Sequence, residues 1–137
     1  KTDRFQVWLI DMDDALDRFV ASLPDSVRHR LDFSDASLDV LEECLLSKYK
    51  DVSATRDLAE SAFLDGAARY IGEVCRKRTG AKWAIQYDDP NDVFHGLPVL
   101  KGGSKIKVPI CPLTLVTAST SRRTGKYFST VLSRLSA

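Results

Sequence analysis

Histidine and cysteine are in short supply, with two and three residues in a chain of 137. Cys44, Cys75 and Cys111 are odd in number and far apart, with no Cys-x-x-Cys and no Cys/His cluster, which excludes the usual zinc spacings and a disulfide framework. Each lies among apolar residues, so the expectation is three reduced, mostly buried thiols in a cytoplasmic protein. His29 stands between Arg28 and Arg30, and His95 precedes Gly96. Both read as surface positions, and nothing in the sequence sets a nucleophile beside either as its base. There is no Gly-x-x-x-x-Gly-Lys-Ser/Thr loop and no Gly-x-Ser-x-Gly elbow. No apolar run approaches the roughly 18 residues of a membrane span, and residues 1–6 carry no apolar core of a secretory signal. Internal repeats, low-complexity stretches and long linkers are missing too.

What is present is the composition of one folded domain. The chain is 44% hydrophobic and 28% charged, and its length suits a single core. The net charge of +1 conceals a division. Residues 1–74 hold sixteen acids against nine bases, a net −7, while residues 75–137 hold three acids against eleven bases, a net +8. Either the halves neutralise each other within the fold, or one of them meets a charged partner.

Hydrophobic periodicity predicts several helices. Residues 5–10 read as a short strand or a helix lead-in. From Asp11, Met12, Leu16, Phe19, Val20 and Leu23 share a face that Pro24 ends, with Asp13, Asp14, Asp17 and Arg18 opposite. A short turn over 25–31 follows. Ser34 is a natural N-cap for a helix carrying Leu38, Leu41, Leu45 and Tyr49, with Phe33 and Leu38 spaced as a hydrophobic staple. The strongest signal runs over 54–79, where Ala59, Ala62, Phe63, Ala67, Tyr70, Ile71, Val74 and Cys75 recur at three and four until Gly80 stops the helix. Gly66 and Gly72 each cost that helix about 1 kcal/mol, so close packing is expected at both.

Beyond Gly80 the pattern changes. Residues 82–87, 97–100 and 106–110 read as strands, residues 113–118 as a helix or strand, and 127–135 as a closing helix with Tyr127, Phe128, Val131, Leu132 and Leu135 inward. Helices, then strands, then a helix make an α+β class without βα alternation.

Three motifs bear on chemistry. Val7-Trp8-Leu9-Ile10-Asp11-Met12-Asp13-Asp14-Ala15-Leu16 resembles the first motif of haloacid-dehalogenase-type phosphatases, an apolar strand followed by Asp-x-Asp. That resemblance implies Asp11 as nucleophile, Asp13 as general acid/base, and Mg²⁺ between carboxylates and phosphate. Ala15 departs from the family's Thr, and the later motifs do not follow in order; Asp88-Asp89 is the one echo. The plain physical reading is an acidic first turn that complements a helix N-terminus. Asp13-Asp14-x-x-Asp17 is also similar to the aspartate-rich box of prenyl-diphosphate enzymes, which are larger, all-helical and carry a second box. In the basic half, Arg76-Lys77-Arg78, Lys101, Lys105, Lys107, Arg122-Arg123 and Lys126 lie among Trp83, Tyr87 and Tyr127. Such a face can bind single-stranded nucleic acid through phosphates and stacking, but a pI of 7.9 falls short of that footprint.

Phe63-Leu64-Asp65-Gly66-Ala67-Ala68-Arg69-Tyr70-Ile71-Gly72-Glu73-Val74, then Gly80 and Lys82-Trp83, resembles a helix-to-strand module of small bacterial proteins, some of them immunity proteins of polymorphic toxin systems. Physically, Gly72 lets the helix approach the sheet, Trp83 fills the seam, and Glu73 pairs one turn away with Arg69 or Lys77.

The expectation is a single α+β domain over residues 1–137, with N-terminal helices packed on a small antiparallel sheet and a closing C-terminal helix. Its function is expected to be protein binding, most concretely neutralisation of a cognate bacterial toxin, without a metal or cofactor. Asp11, Asp13, Asp14, Asp17, Asp35, Asp39, Glu42 and Glu43 would face the toxin's basic cleft. The alternatives are a Mg²⁺-dependent phosphohydrolase using Asp11 and Asp13, and a nucleic-acid-binding accessory domain.

Overall fold

A long amphipathic helix with two glycines on its packing faces organises the molecule. The computed structural model describes residues 2–103, 106 and 108–136, and the fold is α+β. In chain order the helices are α1 (Thr2–Ile10), α2 (Met12–Ala21), α3 (Asp25–Arg28), α4 (Asp35–Lys48) and α5 (Ser61–Thr79). A two-stranded ribbon of β1 (Lys82–Ala84) and β2 (Val99–Lys101) follows, then α6 (Pro112–Arg122) and α7 (Tyr127–Ser136).

Helix α5 is packed by α2, α4, α6 and α7. Its buried face carries Ala67, Tyr70, Ile71, Val74 and Cys75, as the periodicity predicts. Gly80 ends it in the left-handed conformation, its N–H donating to the Arg76 carbonyl. The helix begins later than expected, because Asp51 and Asp57 accept hydrogen bonds from Ala54 and Ala59 and hold residues 52–60 in two 3-10 turns. Gly66 and Gly72 mark two close approaches. A Cβ on Gly66 would stand 2.5 Å from the Phe19 ring of α2, and one on Gly72 would stand 2.1 Å from the Trp83 ring of β1.

Helix α4 is capped by Ser34, whose Oγ accepts from the Ser37 N–H, and buries Leu38, Leu41 and Leu45 completely. Each such side chain contributes roughly 1.5–3 kcal/mol. Phe33, with φ of 63°, stacks its ring on Tyr70 of α5. The Tyr70 hydroxyl accepts from the Phe33 N–H and donates to Ser37 Oγ, which joins α4 to α5.

The sheet is smaller than predicted. β1 and β2 pair antiparallel, Lys82 opposite Lys101, Trp83 opposite Leu100 and Ala84 opposite Val99. Of the strand expected over 106–110, only Ile110 pairs, exchanging both backbone hydrogen bonds with Leu100. Pro109 offers no N–H to extend the ladder, and residues 105 and 107 lie outside the described set. Pro112 then opens α6, where a helix start tolerates it. The helices therefore pack mainly on α5, and the ribbon covers one edge of it. Cys75 and Cys111 are buried and Cys44 is half-buried, all three as free thiols. Burial pushes the Cys75 thiol up to about 11.

Candidate partner-binding surface

The eight carboxylates expected on one face fall into two groups. On α4, three of the four are answered within the fold. Asp35 pairs with Arg78 at the end of α5. Asp39 accepts from Lys126 Nζ at 2.8 Å, just before α7. Burial works to raise the Asp39 carboxyl, yet hydrogen bonding with Lys126 and Ser129 and the Lys126 charge bring it below its ordinary value. Glu42 corrects the sequence reading most plainly. It is fully buried, and its two oxygens accept the N–H groups of Tyr127 (3.1 Å) and Phe128 (2.9 Å). It thus caps the N-terminus of α7 from another helix and cannot face a partner. Glu43 is exposed and, alone of these four, makes no ion pair or hydrogen bond among the described residues.

On α2 the arrangement is reversed. Met12, Ala15, Leu16 and Phe19 turn inward. Asp13, Asp14 and Asp17 are exposed, and no ion pair or hydrogen bond holds their carboxylates among the described residues. Asp11, between α1 and α2, accepts from Arg18 at 2.7 Å, which holds its carboxyl below the usual range. Backbone bonds from Asp11 N to Val7 O and from Ala15 N to Asp11 O flank the junction, where Asp11 (ψ 0°) ends one helix and starts the next. Val7 and Ile10 of α1 are 65% and 82% exposed, and Ile10 borders one cleft with Asp13 of α2. The surface so formed is apolar at one end and acidic at the other.

A polar network fixes α1 in place. Trp8 Nε1 donates to Asp65 at 2.9 Å, Arg69 Nε donates to the other oxygen of Asp65 at 2.7 Å, and Arg69 Nη1 donates to the Trp8 carbonyl at 2.8 Å. The guanidinium lies 4.1 Å from the Trp8 ring centre. Trp8 meets Trp83 edge-on at 4.9 Å, and Trp83 Nε1 donates to Glu73, which Arg76 also grips through two nitrogens. Glu73 therefore pairs with Arg76 rather than with Arg69 or Lys77. Burial raises the Glu73 carboxyl, but the bonds from Arg76 and Trp83 outweigh it and leave the group below its ordinary 4.5. The Asp65/Arg69 spacing of four is a helix-pair signal that was available in the sequence; its Trp8 partner, 57 residues away, was not.

No protein-family model, curated protein or solved structure matches the chain. Its function must therefore be argued from the surface itself.

The phosphatase resemblance needs residues 7–10 as a strand that presents Asp11. They form the end of α1, and Asp11 is bound to Arg18. Among the described residues, no group of three or more His, Cys, Asp or Glu is arranged to hold a metal ion. In the basic half, Arg76, Arg78 and Lys126 are paired, as above. Arg123 donates to the Tyr49 and Leu46 carbonyls at the end of α4, Lys77 lies over the Phe33 ring and Arg122 over Tyr127. Lys82 and Lys101 make no ion pair among the described residues, and Lys105 and Lys107 lie outside them. His29 is exposed, whereas His95 Nε2 contacts the Tyr87 carbonyl at 3.1 Å. No helix among the described residues is long and apolar enough to cross a membrane.

Proposed function

We propose that this chain is a protein-binding domain, most concretely a cytoplasmic immunity protein that neutralises a cognate bacterial toxin through the outer face of α1 and α2. One observation carries the reading. The fold answers Asp35, Asp39 and Glu42 of α4 with groups from its own basic half and leaves Asp13, Asp14 and Asp17 of α2 without ion pairs, on the same side of the chain as exposed Val7 and Ile10. A basic partner surface would supply the missing charge and cover the aliphatic pair. Opposite fields speed encounter and set orientation, while a desolvated apolar contact holds the complex. The basic nucleic-acid cleft of a toxin has the required sign.

The test uses the product of the adjacent gene as the candidate partner. Its complex with this chain should form with an on-rate that falls as salt rises. Changing Asp13, Asp14 and Asp17 together to Asn should slow association at least tenfold at low salt, while Glu43→Gln should leave it nearly unchanged. An association insensitive to both salt and the triple change would refute the assignment to this face. The absence of any complex with that product would count against toxin neutralisation.

A further inference from the structure

We infer that the exposed face of the β1–β2 ribbon is a binding site for a nucleotide, with its phosphate between Lys82 and Lys101 and its base in the small apolar cleft beside them. The site adjoins the α1–α2 surface, since Lys82 borders a cleft with Ile10 and Asp13, but it uses different residues and its test reads a different ligand.

The first observation is the register. Lys82 and Lys101 are directly opposed across an antiparallel pair, and both are exposed. Side chains at opposed positions leave the same side of the ribbon with Cβ atoms about 5 Å apart, and like charges so placed repel. Neither lysine makes an ion pair among the described residues, although Lys82 also borders a cleft that Asp13 and Glu73 line, where Glu73 is held by Arg76 and Trp83. A phosphate monoester, with a charge of about −1.5 to −2 at neutral pH, balances both ammonium groups at once, whereas a single carboxylate carries only one negative charge.

The second observation is what adjoins the pair. Alternation puts Ala84 and Val99 on the same face as the two lysines. Both line a cleft of about 150 Å³ with Ile85, Phe94, Leu97 and Pro109. That is below the roughly 300–1,000 Å³ of a site for a drug-sized ligand, and it suits one planar ring. Three polar side chains reach the cleft. Gln86 is occupied by both backbone groups of Asp89, and Asp92 Oδ1 accepts from the Phe94 N–H. Lys101 has no such partner among the described residues. Of the loop acids, Asp88 and Asp89 do not line the cleft, whereas Asp92 does, its Oδ1 already engaged by Phe94. The site thus has a cationic end for phosphate, an apolar middle with an aromatic wall for a base, and the second oxygen of Asp92 to accept from a sugar hydroxyl. The phosphate and base come from a free nucleotide or from the terminus of a nucleic-acid strand.

The experiment is an amide chemical-shift titration of the intact chain with AMP, adenosine, inorganic phosphate and an eight-residue oligoadenylate. Expected is a cluster of shifts at Lys82, Phe94, Val99 and Lys101, with AMP at least tenfold tighter than adenosine or phosphate alone. The double change Lys82→Gln, Lys101→Gln should bring AMP to the affinity of adenosine with no fall in Tm. Phe94→Ala should bring it to that of phosphate, and its amide spectrum reports whether the fold is kept. Tighter binding of the oligonucleotide than of AMP assigns the site to a strand, and equal or weaker binding assigns it to the free nucleotide; either supports the site. Equal affinity for AMP and adenosine, shifts centred elsewhere, or a double variant that binds AMP like the parent would overturn it.

Discussion

Helices α2 and α4 are both acidic, both amphipathic and both packed against α5, yet the fold treats their carboxylates in opposite ways. The difference follows from position relative to the apolar stripe. Glu42 is four residues after Leu38 and three before Leu45, so it rides on the buried stripe itself. Asp35 and Asp39 border the same side and meet the basic end of α5 and the turn before α7. On α2, Asp13, Asp14 and Asp17 sit opposite Met12, Leu16 and Phe19, where no Lys or Arg reaches ion-pair distance among the described residues, although Asp13 shares a cleft with Arg76 and Lys82. Opposed net charges in two halves of a sequence therefore have two outcomes within one molecule. One set of acids binds the halves together, and the other remains as an exterior field.

Removing the cap across helices should break the comparison hardest. Glu42→Ala strands the buried N–H of Phe128 and the half-buried N–H of Tyr127 at the start of α7, and hydrogen bonds to a charged group are worth about 1.5–3 kcal/mol each. A loss of about 3 kcal/mol is expected, a fall in Tm on the order of 10 °C. Glu43→Ala, one residue on and exposed, should stay within about 0.5 kcal/mol. Urea unfolding of the two variants side by side measures the contrast, and equal effects would mean that the carboxylates of α4 are not divided as described. Next in size is Gly72→Ala. Its methyl would collide with the Trp83 ring and push it from Glu73; overpacking of this kind costs about 1–3 kcal/mol, more than the helix gains from alanine. A gain in stability would show that the seam is loose.

Periodicity made most of the helical frame legible, because Leu38, Leu41, Leu45, Tyr70, Ile71 and Val74 are buried for the same reason that they recur. The Gly72–Trp83 seam was legible as well, since a helix keeps a costly glycine only where another element comes close. Two features were not. Residues 7–10 are apolar enough for a strand, and only the docking of Trp8 on Asp65 and Arg69 from α5 settles them as helix. The eight acids looked alike because charge counted along a sequence ignores which side of the apolar stripe a residue occupies. Applying the stripe to Glu42 would have separated it from Glu43.

Glu73 sharpens the contrast through pH. Its folded value lies below its ordinary 4.5, so the fold prefers the ionised form. The resulting stability is complete above the unfolded value and is lost as pH falls through the folded one. Trp83→Phe removes one N–H donor and should move Glu73 titration, followed by carbon NMR of its carboxyl, to higher pH. An unmoved titration would show that Arg76 alone holds the charge.

The smallest stability effect should come from the largest change in charge. Changing Asp13, Asp14 and Asp17 together to Asn removes three negative charges from α2. Asp13 and Asp14 lie in the first turn, where an acid gains about 0.3–1 kcal/mol from the helix dipole. Against this, three like charges on one short face repel each other, and relief of that repulsion opposes the loss. The net change in unfolding free energy should lie within about 0.5 kcal/mol. If the triple variant instead unfolds as readily as Glu42→Ala, these carboxylates hold the fold together, and the distinction between α2 and α4 fails.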